Sequence, residues 1–385
     1  MTSYILCDTD SRHLLFPFTL MRPAADCRAG ILTIREKWEY LLHQATSTFT
    51  ENYLSEKFPI EEKEDNFFIN GALIPNEDLS DALHHLKREE SLFSGNTWLA
   101  SRCDSAESFS KSSRFEKIHY RQPFTLIRYP WDITRFNDLL LRDDFLLITK
   151  NRISQRPEAS VKIFSPENVF AEEGAVLNDV TINASTGPVY IGKDALIMEG
   201  TLIRGPVAIG EKAVLKMGTK IYGATTIGHH SVAGGEIKNS VIFGFSNKAH
   251  DGYLGDAIIA EWCNLGAGTS GSNMKNNAGQ VKVWNENEQH FLEAGQKCGL
   301  MMGDYSRSGI NTMINTGTVA GVSCNIFNAG FPPKYIPSFS WISSGKTEKY
   351  TLEKVIRDAD AWMQLKGKKL DNETEHVLRK LYGQS

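Results

Sequence analysis

Aliphatic side chains recur at every sixth position after residue 185: Ile191, Ile197, Ile203, Ile209, Leu215, Ile221 and Ile227. Neither the 3.6-residue period of a helix nor the two-residue period of a strand gives this spacing. A small or β-branched residue stands four places beyond each aliphatic: Ala195, Thr201, Val207, Ala213, Thr219, Thr225 and Ser231. Glycine follows directly at Gly192, Gly210 and Gly228. A hexapeptide repeat of this kind predicts a parallel β-helix, in which each coil stacks its aliphatic rung on the one below. The glycines read as relief for tight corners after each rung. An unbroken run at one phase weighs against an ordinary antiparallel β-sandwich.

The register breaks near Gly234-Gly235, which predicts a loop of about twenty residues, since insertions in a repeat map to loops. It resumes at Ile259 and Leu265 and departs again over residues 270–296. A last run follows at Met302, Ser308, Ile314, Ala320 and Ile326, with Gly303, Gly309 and Gly321 after the first, second and fourth. Beyond residue 337 the pattern ends. Residues 352–381 are charged with intermittent apolar positions (Val355, Ala359, Met363, Val377, Leu378, Leu381), predicting a helical tail across the end of the prism.

The N-terminal part follows other rules. Tyr4-Ile5-Leu6 and Phe67-Phe68-Ile69 predict strands, the second leading into a turn at Asn70-Gly71. Residues 34–43 predict a helix with Trp38, Leu41 and Leu42 on one face. Residues 150–165 are polar and aperiodic and mark a boundary. The expected fold is therefore an α/β domain over residues 1–150, a parallel β-helix over 151–340 and a helical tail over 341–385.

Composition narrows the function. A chain of 385 residues is long for one core, which agrees with two domains. A net charge of −4 offers no polyanion-binding signature, so no nucleic-acid partner is expected. The six cysteines are scattered without a CxxC pair, which suggests reduced thiols rather than zinc or disulfides. The N-terminus lacks the basic and apolar regions of a signal peptide, and no apolar run approaches the ~20 residues that span a bilayer. The expectation is a soluble cytoplasmic protein with no membrane partner.

Polar residues concentrate where the repeat is interrupted. One stretch reads Ser246-Asn247-Lys248-Ala249-His250-Asp251-Gly252-Tyr253-Leu254-Gly255-Asp256; then come Asn264-Leu265-Gly266-Ala267-Gly268-Thr269 and Ser272-Asn273. With Glu236-Ile237-Lys238 upstream, this chain resembles the bifunctional N-acetylglucosamine-1-phosphate uridylyltransferase / glucosamine-1-phosphate N-acetyltransferase family. The likeness is close over residues 200–325 and weak before 150, and fits a divergent bacterial branch with a shortened N-terminal domain.

The resemblance implies a left-handed β-helix, homotrimers with active sites between subunits, and acetyl transfer from acetyl-coenzyme A to glucosamine-1-phosphate. That reaction would feed UDP-N-acetylglucosamine synthesis for the cell wall. It assigns His250 as catalytic base and Glu236 as its supporting carboxylate. An amino sugar is an ammonium ion at neutral pH and must lose a proton before attacking a thioester. An imidazole with an ordinary pKa of about 6.5 suits that task. The resemblance assigns Lys220, Lys238, Tyr253, Asn264 and Asn273 to the sugar phosphate. Lys220 stands where the family has arginine, keeping the charge but losing the two-pronged fork. The backbone amide near Ala267 would stabilise the oxyanion. Acetyl-coenzyme A would run past Ala267, Gly303, Asp304, Asn315 and Thr318.

In the N-terminal domain, Arg12, Pro17, Thr19 and Pro23 look like remnants of a nucleotidyltransferase phosphate loop. Asp8 and Asp10 stand where glycines belong, and Ala24 where lysine belongs. Carboxylates there would repel phosphate. Asn70-Gly71-Ala72 resembles the family's metal-binding segment without its aspartate, so Mg2+ is expected only if this domain is active. Arg12 and Arg22, with Arg28, Arg35 and Lys37, form either an alternative phosphate site or an ion-paired face. A β-helix carbonic anhydrase is disfavoured because His229, His230 and His250 lack zinc-ligand spacing, and no resident metal is expected. Two further readings are a uridylyl- or thymidylyltransferase whose β-helix only trimerises, and a non-catalytic sugar-nucleotide-binding assembly subunit.

Overall fold

The computed structural model describes residues 2–384, less the side chains of Asp10 and Ser11. The chain forms two compact units. The first comprises residues 1–15, 19–27 and 32–129; the second comprises 16–18, 28–31 and 130–385. The helix Pro130–Thr149 thus packs with the β-helix unit.

In the first unit, Thr2–Cys7 pairs in parallel with Ser47–Phe49 and with Asp65–Asn70, inside a mixed six-stranded sheet. The helix Ile34–Leu42 starts with a capping box: Thr33 accepts from the Glu36 amide, and the Glu36 side chain accepts from the Thr33 amide. It buries Ile34 and Trp38. These are the strands and helix that the hydrophobic pattern predicts.

The second unit is the expected left-handed parallel β-helix with a helical tail. Each coil contributes one strand to each of three faces. The first face stacks Ile191 on Ile209 on Ile227, the second Ile197 on Leu215, and the third Ile203 on Ile221 on Ile237. All these side chains are buried in one continuous core. Each fully buried aliphatic contributes about 1.5–3 kcal/mol of transfer free energy. The later run Met302, Ser308, Ile314, Ala320 and Ile326 also points inward.

The corner glycines act through close approach. A Cβ on Gly210 would lie 2.5 Å from the His229 amide nitrogen in the coil above. The left-handed backbone falls two residues later, at Asp194, Lys212 and His230. Glycine is therefore required by stacking, and the φ > 0 position tolerates larger residues.

The structure corrects two expectations. The interval 236–255 is not a loop but one shortened coil and the first strand of the next, with strands at Glu236–Lys238, Val241–Ile242, Asn247–Lys248 and Tyr253–Gly255. Ile227 pairs with Ile242, fifteen residues on, whereas Ile209 and Ile227 are eighteen apart. The coil is shortened at its corners, which shifts the phase without breaking the stack. The departure after Gly271 is a true insertion, with an antiparallel hairpin at Val281–Asn285 and His290–Gly295.

The tail is the second correction. It comprises helices Leu352–Gln364 and Asn372–Gln384, and the first lies along the side of the prism. Arg307 donates to the Asp358 carbonyl and stacks over Trp362, while Lys366 reaches Asn247 two coils away. Its docking strip is a corner of left-handed residues whose rings stack: His230 on Phe245, and Phe245 on Trp262 at 4.2 Å.

Candidate active site

The third face presents two outward columns of polar side chains. One runs Lys220, Glu236, Tyr253, Ser270; the other runs Arg204, Tyr222, Lys238. Alternation along each strand sends the middle residue inward, so the flanking positions face out together. The Tyr222 hydroxyl donates to Glu236 Oε1 at 2.6 Å, which pushes the phenol pKa up to about 12. Lys238 lies over the Tyr222 ring, 5.3 Å from its centroid.

Above this pair, burial and then the neighbouring Asp256 and Glu236 charges raise the Tyr253 pKa. Asn273 donates to Asp256 Oδ2, while Asn239 donates to Asp256 Oδ1 at 2.7 Å. Lys220, Glu236, Lys238, Tyr253 and Asn273 are thus gathered on one face. The sequence reading missed Tyr222, Asn239 and Asp256. Asp256 stood inside the Tyr-Leu-Gly-Asp segment and was the one with a readable signal.

His250 occupies the corner leading onto this face and is exposed. Among the described residues its imidazole makes no hydrogen bond or ion pair. The structure does not bring the Glu236 carboxylate within ion-pair range of it; that carboxylate is held by Tyr222. The His250 corner fits tightly on the corner below, because a Cβ on Gly235 would lie 2.8 Å from the His250 carbonyl oxygen. The corner above carries Ala267, and the Gly268 amide donates to the Asp251 carbonyl at 3.1 Å. His250 and Ala267 therefore lie on consecutive turns of the same corner. The Ala267 carbonyl is taken by the Asn311 amide.

The other assigned residues lie elsewhere. Asn264 is on the second face, 3.5 Å from the Asn247 amide nitrogen. Gly303 and Asp304 lie at the corner between the first and second faces. Asp304 is buried and accepts from the Glu261 amide. Asn315 and Thr318 are at the third kind of corner, where the Thr318 hydroxyl donates to the Asn315 carbonyl. The residues assigned to acetyl-coenzyme A thus spread over three corners of one chain.

In the first unit Arg12 is 2% exposed. It pairs with Asp8 at 3.1 Å and donates to the Thr19 carbonyl and to Tyr53. Asp8 also accepts from the Ala24 amide and the Thr50 hydroxyl. Burial pushes its carboxyl pKa up, against the pull of Arg12. Arg22 is buried, and Arg35 forms a two-pronged bridge to Asp26. The basic cluster is thus largely spent inside the fold, and Asp10 lies outside the described side chains. No His, Cys, Asp or Glu cluster suited to a metal ion occurs among the described residues. All six cysteines are buried and unbridged.

Residues 4–153 match the family of sugar nucleotidyl transferases. The chain is 32% identical over 226 residues to a bifunctional sugar-1-phosphate nucleotidylyltransferase/acetyltransferase of Sulfurisphaera tokodaii, covering 58% of this chain and 50% of the relative. It is 34% identical over 89 residues to the bifunctional protein GlmU of Methanocaldococcus jannaschii, covering 23% and 21%. The chain thus spans half or less of the length of these relatives. Similar solved structures include a UDP-N-acetylglucosamine acyltransferase of Francisella novicida, at 12% identity and TM-score 0.33 over 48% of this chain and 66% of that one. Another is an Arabidopsis UDP-N-acetylglucosamine acyltransferase, at 18% identity and TM-score 0.21 over 58% and 88%. The matches to the nucleotidyl transferase family and to the two bifunctional proteins bear out the resemblance read from the sequence.

Proposed function

We propose that this protein transfers an acetyl group from acetyl-coenzyme A to the amine of an amino sugar phosphate, with glucosamine-1-phosphate as the leading substrate. The observation that carries this reading is the position of His250. It stands at the edge of a face bearing Lys220, Lys238, Tyr253 and Asn273, one turn below the Ala267 corner. The two bifunctional relatives support the same reaction class.

In the proposed reaction, Lys220 and Lys238 bind the phosphate as cations, and Tyr253 and Asn273 orient the sugar. His250 takes a proton from the substrate ammonium. The freed amine attacks the thioester carbonyl, the tetrahedral oxyanion forms beside the Ala267 corner, and the C–S bond breaks as the nitrogen's surplus proton passes to the departing sulfur, releasing the amide and the coenzyme A thiol. In this reading Glu236 acts through Tyr222 until substrate binds and then supports the imidazolium, since catalytic contacts often tighten only with substrate present. The scatter of Asn264, Gly303, Asp304, Asn315 and Thr318 over other faces fits a site completed by a neighbouring subunit of a homotrimer.

A second reading is nucleotidyl transfer by the first unit, favoured by the family match over residues 4–153. Pairing of Asp8 with Arg12 inside the loop opposes it, as does the missing carboxylate beside Asn70. These residues do not form a magnesium site, and no step is assigned to one. No helix of the described residues is long and apolar enough to cross a membrane. Purified protein assayed separately with glucosamine-1-phosphate plus acetyl-coenzyme A, and with UTP plus N-acetylglucosamine-1-phosphate, distinguishes the two readings. Thiol release in the first mixture supports acetyl transfer, and its absence removes it.

A further inference from the structure

One rung of the β-helix carries a charged side chain. Lys248 pairs in register with Ala233, two coils up from Leu215 on the second face. Its side chain points into the prism and is 1% exposed. An ammonium group buried there costs several kcal/mol unless its donors are satisfied. All three are directed at backbone carbonyls: Gly234 at 3.3 Å, Asp251 at 3.3 Å, and His250 at shorter range. Two of these belong to the His250 corner and the third to the corner directly below. The ammonium therefore ties two successive corners together from inside.

Nothing in the stacking of the coil requires a cation at this rung. An aliphatic side chain would fill it, as Leu215 does two coils below and Leu265 does in the coil above. The Asp251 carbonyl is also held from above by the Gly268 amide at 3.1 Å, whereas the His250 carbonyl is held by the ammonium. The corner is otherwise glycine-flanked, with Gly234-Gly235 beneath and Gly252 following. Gly235 and Gly252 both have positive φ.

From this geometry we infer that Lys248 is a positioning residue that fixes the backbone of the His250 corner and so aims the imidazole at the third face. Its effect on the reaction rests on the acetyl-transfer reading; its effect on the corner does not. Desolvation lowers its pKa to about 8, so near neutral pH it holds the corner mainly as an ammonium ion.

The test uses the full-length protein with Lys248→Met, which fills the rung without donors, and Lys248→Gln, which restores one amide donor group. Amide hydrogen exchange is read at residues 249–252 and at the rung strands. Lys248→Met is expected to speed exchange at the corner about tenfold or more while leaving Ile237, Ile242 and Ile259 unchanged. In the acetyl-transfer assay, kcat should fall about 10–100-fold with KM for the sugar phosphate within about twofold, and Lys248→Gln should recover part of the loss. Unchanged corner exchange in Lys248→Met overturns the inference whatever the activity. So does failure of both variants to fold, which would make the lysine a folding residue. If His250→Ala retains full activity while corner exchange responds to Lys248→Met, the acetyl-transfer role of His250 falls and the positioning role stands.

Discussion

Tyr222 and Glu236 lie on successive coils of the third face, and the phenol hydroxyl of one donates to the carboxylate of the other at 2.6 Å. This bond holds Glu236 on the face where the sugar phosphate is proposed to bind. It predicts that Glu236→Gln lowers kcat by about tenfold, less than loss of the base itself, because the imidazole remains but is less well supported. Tyr222→Phe should have an effect of the same size or smaller and should not add fully to Glu236→Gln, since the two act as one unit. Fully additive losses in kcat would show that the pair is not functionally coupled.

The buried Asp8–Arg12 pair makes a stability prediction. Arg12→Met strands a buried carboxylate and should cost about 3–5 kcal/mol. Adding Asp8→Asn should recover much of that, because no charge is then left unpaired. Denaturant unfolding of the two variants checks this; equal stability of single and double variants would contradict it. The same pairing predicts that magnesium-dependent pyrophosphate release from UTP and N-acetylglucosamine-1-phosphate stays far below an ordinary turnover of about 10 per second.

Lys248 makes a pH prediction. Its pKa is about 8 in the folded chain against an ordinary 10.5. Between those values the unfolded chain keeps a proton that the folded chain has released, so stability from this group rises with pH. Compared with Lys248→Met, the native protein should gain on the order of 1–3 kcal/mol from pH 8 to 10.5. Lys366 shifts in the same direction but is present in both proteins and cancels. A constant difference in unfolding free energy across that range would contradict the assignment.

Much of this was legible in the sequence where the chemistry repeats. Ile191 through Ile227 keep one phase because every coil there has the same length, so the rung could be read without alignment. The coil carrying His250 was misread as a loop for two physical reasons. Three residues are missing between Ile227 and Ile242, and a lysine occupies a rung that the pattern expects to be aliphatic. The column Leu215, Ala233, Lys248, Leu265 reveals it only once the pairing is known. The helical tail was legible from Val355, Ala359 and Met363, but its docking strip was not. That strip is built from His230, Phe245 and Trp262, which share a corner conformation and no sequence period. The Asp8–Arg12 pair shows a similar limit, because a charged residue near a phosphate loop reads as a ligand until burial and partners are seen.

The third face and its corners leave Leu202, Met217, Ile310 and Met313 exposed. The proposed homotrimer would cover such side chains, and light scattering should then give three times the chain mass of 43.1 kDa. A stable monomer at micromolar concentration would remove the proposed intersubunit site.

The most direct measurement is acetyl transfer by His250→Ala. His250 is exposed at a corner and contributes no rung, so the variant should keep the fold and the assembly of the native protein. Loss of a general base lowers the rate by about 10²–10⁴-fold, and the acidic limb of the pH–rate profile should disappear with it. A variant that folds and turns over glucosamine-1-phosphate at the native rate, with an unchanged pH profile, would contradict the central claim that this corner carries the catalytic base.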